Sequence, residues 1–415
     1  VLSMSTSDKV QPAPMPPVDI PGPATSYLLV CDEWSPTRGG VSMFNRALAT
    51  ALARNGHRTA CLVESATANE HDDARTRGVT LLTAEMTPAG PALLVPATAA
   101  LDFSADVIIG HDRFSGREAW AYARRYGWAA LVLIIHTAPN EIERYRNSGE
   151  ATRRMEQREE IICRIAADAD ITAAVGPRLS RYAADLLEDG SGRSRILQLD
   201  PGVEAWNGWT RQPPRTPHVL VLGRTGDIEL KGLDIAARAV AQLPAVAGVQ
   251  PRLLVRGAPD ADCDALHAEL VARSGVARER IDVRSFTVDP IRLQRELARS
   301  AVCVMPSRVE GFGLAAFDAI AAGTPVLISS KSGAAELLRT RLGRSAEPMI
   351  VEMVDNRDVD VPRWGAAIAT ALSDVPGSFR YAQEMRTRLA AEFPWHATAE
   401  VLDRAVVTGC DVVPR

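Results

Sequence analysis

Tyr27-Leu-Leu-Val-Cys31 is an unbroken apolar run. A short run of this kind predicts a strand buried on both faces. Gly39-Gly40 follows, and then Val41, Phe44, Leu48, Ala51 and Leu52 fall at helical spacing up to Gly56, a helix stop. The pattern predicts a helix over 41–55 and a second strand at 59–63. The alternation continues with strands at 79–82, 107–109, 129–135 and 171–175 and helices near 116–126 and 148–167. Residues 206–217 break it: Pro213, Pro214 and Pro217 stand there without periodicity, which marks a linker. Beyond it strands are expected at 218–222, 252–255, 281–285, 301–305 and 325–329. Helices are expected between them at 232–243, 260–273, 290–299 and 314–322.

Buried strands alternating with amphipathic helices mean an α/β fold: parallel sheets covered on both faces. Two such units of similar size, 27–205 and 218–390, joined by a proline-rich hinge, would face each other across a cleft. Ligands of doubly wound sheets sit at the carboxyl ends of the strands. Residues 1–26 carry six prolines between Pro12 and Pro23 and read as an extended tail.

Composition changes this picture little. The chain has 415 residues, 46% hydrophobic and 24% charged, with formal net charge -4. No global basic field favours nucleic acid. No run approaches the ~18 apolar residues of a membrane span, although peripheral membrane contact stays open. No signal-peptide pattern opens the chain, and the six cysteines (Cys31, Cys61, Cys163, Cys263, Cys303, Cys410) form no CxxC pair. Reduced thiols of a cytoplasmic protein are expected. Of 47 cationic residues only Lys9, Lys231 and Lys331 are lysines. Arginine is thus background here, while a lysine stands out.

The candidate chemistry concentrates in Ser307-Arg-Val-Glu310-Gly311-Phe312-Gly313-Leu314, continuing through Asp318 to Gly323-Thr-Pro325. A strand ends before it and a helix starts within it. Gly311 and Gly313 permit close backbone approach, and the helix start offers free N–H groups to an anionic or hydroxyl-rich ligand. Glu310 stands at the mouth and Asp318 a turn into the helix. Alone, such acids could equally be a cap and a solvated charge. The paired glycines favour a site.

This segment resembles the E-x7-E region of retaining family-four glycosyltransferases of the GT-B type, in which two Rossmann-like domains face a central cleft. The second acid departs from the pattern: Asp318 replaces Glu, about 1.5 Å shorter in reach. The resemblance implies that Glu310 contacts a donor sugar and Asp318 the nucleotide ribose, with Gly311, Phe312, Gly313 and Leu314 lining the donor. Gly223-Arg224 and Lys231-Gly232-Leu-Asp234 resemble the family's G-R…K-G-x-D element, whose cations hold the donor pyrophosphate. Gly39 and Gly40 match its N-terminal glycine loop, and His136, after strand 129–135, its active-site histidine. Ser332-Gly333-Ala-Ala-Glu336 resembles its G-G-x-x-E turn, with Ser for the first Gly. Phe286 falls where the family places the nucleobase. Phe393 to Leu402 resembles the terminal helix that crosses back onto the first domain, within a final segment at 391–415. His111, Asp112, Arg113, Glu141, Arg144 and Arg154, in first-domain loops, are candidate acceptor contacts.

The resemblance implies transfer of a sugar, with retained configuration, from a UDP- or GDP-sugar to a small-molecule or glycan acceptor. Metal independence would follow if Arg224 and Lys231 replace a cation at the leaving diphosphate. No cofactor is required. Two other readings stay open. One is a glycosyltransferase-like module, part of a larger multidomain chain, that senses a nucleotide sugar without transfer. The other is a different enzyme on this fold, an epimerase or a phosphorylase, the latter needing a pyridoxal lysine among three.

Overall fold

The computed structural model describes residues 24–37, 39–88, 90–93, 102–145, 150–188, 194–206, 214 and 217–408. Most of the expected tail lies outside these residues. Ser26, counted with the tail, instead opens the first strand. Of the expected linker only 206, 214 and 217 are described.

The first unit contains β1 (Ser26–Val30), β2 (Arg58–Val63), β3 (Val79–Thr83), a small antiparallel hairpin of β4 (Glu85–Thr87) and β5 (Gly90–Ala92), β6 (Val107–His111), β7 (Ala130–Ile135), β8 (Ile171–Val175) and β9 (Arg195–Leu199). Its parallel sheet runs β3-β2-β1-β6-β7-β8-β9. The second unit contains β10 (His218–Leu222), β11 (Arg252–Ala258), β12 (Ile281–Ser285), β13 (Val302–Met305), β14 (Val326–Ser329) and β15 (Ile350–Val351), ordered β12-β11-β10-β13-β14-β15 and again parallel. Chain order reverses between β1 and β6 and between β10 and β13. Both carboxyl-end crevices form at those reversals.

The burial explains the sequence pattern. In β10, Val219 and Val221 face one core with Ile235, Val240, Trp364 and Ile368, while Leu220 faces the other. Both faces are covered, so the strand reads as continuous apolar sequence. The helix Gly40–Arg54 buries Phe44, Leu48 and Leu52, the stripe read from its spacing. Pro290 at the first turn and the Asp289 side chain, which accepts from Ile291 N, start the helix Pro290–Arg299 where the sequence places it.

The final helix, Trp395–Thr408, packs on the first unit. Trp395 meets Phe44 edge to face at 5.4 Å, and Tyr27 donates its hydroxyl to Asp403 Oδ1 at 2.6 Å. Further polar ties join the units: Glu336 to Arg178 and Arg181, Arg341 to Asp200, and Tyr145 to Asp355. Among the described residues no helix is long and apolar enough to cross a membrane.

Candidate functional site

A cavity of about 270 Å³ opens where the two sets of carboxyl strand ends meet. From the first unit it takes Gly39, Gly40, Val41, Met43, Phe114, His136 and Thr137. From the second it takes Arg224, Lys231, Arg256, Phe286, Ser307, Glu310, Phe312, Gly313, Leu314 and Asp318. Gly39, Gly40 and His136 of the first half and Arg224, Lys231, Glu310 and Asp318 of the second therefore share one hollow.

The centre is an ion pair. Lys231 Nζ lies 2.5 Å from Glu310 Oε2, and Ser307 Oγ donates to the same oxygen at 3.3 Å. Glu310 is held by its backbone, whose N–H donates to Lys331 O while its carbonyl accepts from Gly333 N. The turn Ser332–Gly333 thus braces the acidic loop. Gly313 adopts φ 100° before the helix Leu314–Ala321, and a Cβ there would come within 2.6 Å of Met305. Only glycine fits that turn without strain.

Arg224 reaches across the cleft. A Cβ on Gly39, whose φ is 123°, would sit 3.0 Å from Arg224 Nε, so the guanidinium lies against the glycine loop of the first unit. Arg224 is exposed and makes no ion pair among the described residues. Asp318 also faces the cavity, and burial pushes its carboxyl up to about 7. Phe286 and Thr287 also line the cavity, as does Arg256, whose ion pair with Glu296 is buried. Among the described residues no three His, Cys, Asp or Glu cluster to hold a metal.

His136 follows β7, half-buried at the cavity wall. Its backbone N–H and the Thr137 hydroxyl both donate to Asp112 Oδ2, at 3.1 and 3.0 Å. Asp112 is fully buried at φ 41°, with Oδ1 unpartnered. Burial pushes that carboxyl up to about 7, against the hydrogen bonds it accepts.

The expected acceptor contacts are placed elsewhere. His111 and Asp112 are 0% exposed and stand behind the wall, because β6 extends to His111 and turns both side chains inward. Arg113 does not line the cavity and covers the Phe114 ring at 4.2 Å. Glu141 pairs with Arg178, Arg144 donates to Tyr145, and Arg154 pairs with Glu143. Gly311 also lies outside the wall, its Cα facing His136 O. In their place the first unit offers Val41, Met43 and Phe114. Sequence reasoning missed Arg256, hidden among many arginines.

Two facing parallel doubly wound sheets with this cleft define the GT-B glycosyltransferase fold. Sucrose-phosphate synthase from Thermosynechococcus elongatus superposes with TM-score 0.69 at 20% identity, over 93% of this chain and 100% of that one. HepE of Anabaena, solved in complex with UDP-glucose, superposes with TM-score 0.66 at 14% identity, over 92% and 99%. The model of "Family 4 Glycosyltransferase in conflict systems" matches residues 28–402, and the chain belongs to that family. D-inositol 3-phosphate glycosyltransferase of Stackebrandtia nassauensis is 30% identical over 319 residues, 72% of this chain and 67% of that one. The like-named enzyme of Mycobacterium marinum is 34% identical over 229 residues, 50% of this chain. Glycogen synthase of Mycobacterium tuberculosis is 27% identical over 300 residues, 71% of this chain. The chain spans 44% of the M. marinum enzyme and 66% of the glycogen synthase, less than two-thirds of each.

Proposed function

We propose that this chain transfers a sugar from a nucleotide-diphosphate sugar, a UDP- or GDP-sugar, to a small-molecule or glycan acceptor, with retention and without a metal ion. One observation carries the reading: Lys231, Glu310 and Arg224, which makes no ion pair among the described residues, share a cavity built from both units. Departure of a nucleoside diphosphate builds negative charge, and two preorganised cations stabilise it. In this reading Glu310 takes hydroxyls of the sugar. Phe286 offers a ring to the base and Asp318 a short acid to the ribose. Retention rests on the family pattern. The absence of any expected cofactor and a cytoplasmic location belong to the same reading.

A second reading, binding without transfer, is favoured by Asp318. It is shorter than the family's Glu, and burial holds its carboxyl up near 7, where it is half-protonated. The protein incubated with a panel of nucleotide sugars, with and without glycan acceptors, separates the two. Release of nucleoside diphosphate with a glycosylated product of unchanged anomeric configuration is the expected result. Saturable binding with no turnover of any donor would overturn transfer and leave the sensor.

A further inference from the structure

We propose that His111 is a positioning residue that fixes the tautomer of His136, so that His136 presents a bare Nδ1 to the cavity and accepts a hydrogen bond from a sugar hydroxyl. The identity of that hydroxyl rests on the nucleotide-sugar reading. The tautomer rests on side-chain geometry, supported by the burial that keeps both rings neutral.

The chain of contacts starts away from the cavity. Asn45 is 0% exposed and donates its Nδ2 to Cys61 Sγ at 3.3 Å. That contact turns Asn45 Oδ1 toward His111 Nε2, 2.9 Å away. An amide oxygen only accepts, so His111 carries its hydrogen on Nε2. The neutral ring then has a lone pair on Nδ1, and His136 Nε2 stands 2.9 Å from it. The contact is a hydrogen bond only if His136 carries hydrogen on Nε2. Its Nδ1 is therefore bare.

The rings have little freedom to do otherwise. Phe44 meets the His136 ring edge to face at 5.2 Å, and Asp112 holds its backbone. Burial pulls His111 down to about 3. Burial first, and His111 second, hold His136 well below the usual imidazole range, so both rings stay neutral. A bare nitrogen accepts from a hydroxyl and repels phosphate oxygen. The cavity thus divides its labour: Arg224 and Lys231 suit the diphosphate, while His136 suits a hydroxyl.

The test is the long-range proton–nitrogen spectrum of ligand-free protein labelled with ¹⁵N-histidine, with His136→Asn assigning the signals. Protonated Nε2 and unprotonated Nδ1 on His136 are expected. A protonated Nδ1, or averaging between tautomers, overturns the proposal. In His111→Leu the lock should be lost, and turnover should fall about tenfold, the scale of one hydrogen bond, with KM for the nucleotide sugar little changed. His111→Gln can accept from His136 and donate to Asn45, and should restore both tautomer and turnover. If His111→Leu fails to fold, His111→Gln and Asn45→Leu carry the test: the first keeps the tautomer and the second releases it. A folded His111→Gln with a mixed tautomer overturns the proposal. The expected tautomer in a protein that binds no nucleotide sugar upholds the lock and overturns the nucleotide-sugar reading instead.

Discussion

Lys231 Nζ and Glu310 Oε2 meet at 2.5 Å although 79 residues separate them in the chain. One follows β10 and the other follows β13, the two strands between which the order of the second sheet reverses. Each neutralises the other in the ligand-free cleft. A diphosphate would compete for the ammonium and a sugar hydroxyl for the carboxylate. Lys231→Ala and Glu310→Ala should each cost at least ~10²-fold in turnover, the scale of one preorganised charge contact. Because the two groups touch, the double variant should lose less than the product of the single losses. Steady-state release of nucleoside diphosphate measures all three, and near-normal rates in both single variants would remove the pair from the mechanism.

Asp112 makes stability depend on pH. Its folded carboxyl titrates at about 7, against an ordinary 3.8, because it is buried. The folded state therefore keeps a proton that the unfolded state gives up between those values. The group's contribution is most favourable below 3.8 and declines as pH rises to 7. Above that, the native protein carries a buried carboxylate whose Oδ1 has no partner among the described residues. Asp112→Asn tolerates the positive φ and can still accept from His136 and Thr137. Its melting temperature should exceed the parent's by about 2–4 °C at pH 8, the scale of 1 kcal/mol. At pH 4 most of that difference should vanish. A difference that stays constant across this range in thermal unfolding would contradict the assignment.

Phe286 lines the cavity, its backbone N–H tied to Ala258 O at 2.8 Å. If its ring stacks on the nucleobase, Phe286→Ala should weaken nucleoside diphosphate binding about tenfold, within the ~1–3 kcal/mol of a base–aromatic stack. Binding of inorganic pyrophosphate should be unchanged. Calorimetric titration with both ligands decides it: equal losses would show that the variant disturbs the phosphate end instead.

Glu336 ties the second unit to the first. It accepts from Arg178 at 3.1 Å and Arg181 at 2.6 Å, both on the helix Gly176–Leu187 of the first unit. Arg178 also holds Glu141. Glu336→Gln removes the charge but little volume, so the units should open more readily. Small-angle scattering should give a larger radius of gyration for the variant without ligand, and added salt should bring the parent toward it. Identical scattering at low salt would show that other contacts, such as Arg341–Asp200, hold the units closed.

Much of this arrangement is legible in the sequence. The strands 171–175 and 218–222 stand where their apolar runs place them, because both faces of each are covered; the edge strand 281–285, in which only Ile281 is buried, also stands where the sequence reading puts it. The helix Gly176–Leu187 escaped because it starts directly at the end of β8, with no loop to separate the two periods. β9 (Arg195–Leu199) escaped because its burial is partial and Arg and Gln interrupt the run. In the cavity, Lys231 was legible because lysine is rare here, and Glu310 because Gly311 and Gly313 follow it. His111 and Asp112 were misplaced for a definite reason. The end of a strand looks like a site in sequence, yet which way its last side chains turn depends on where the strand stops, and β6 runs on to His111.

The most direct measurement is a crystal structure of the protein with an intact nucleotide-diphosphate sugar. The pyrophosphate should lie within hydrogen-bond distance of both Arg224 and Lys231, with a hydroxyl of the hexose on Glu310. A donor bound with its phosphates away from both cations, or outside this cleft altogether, would contradict the account.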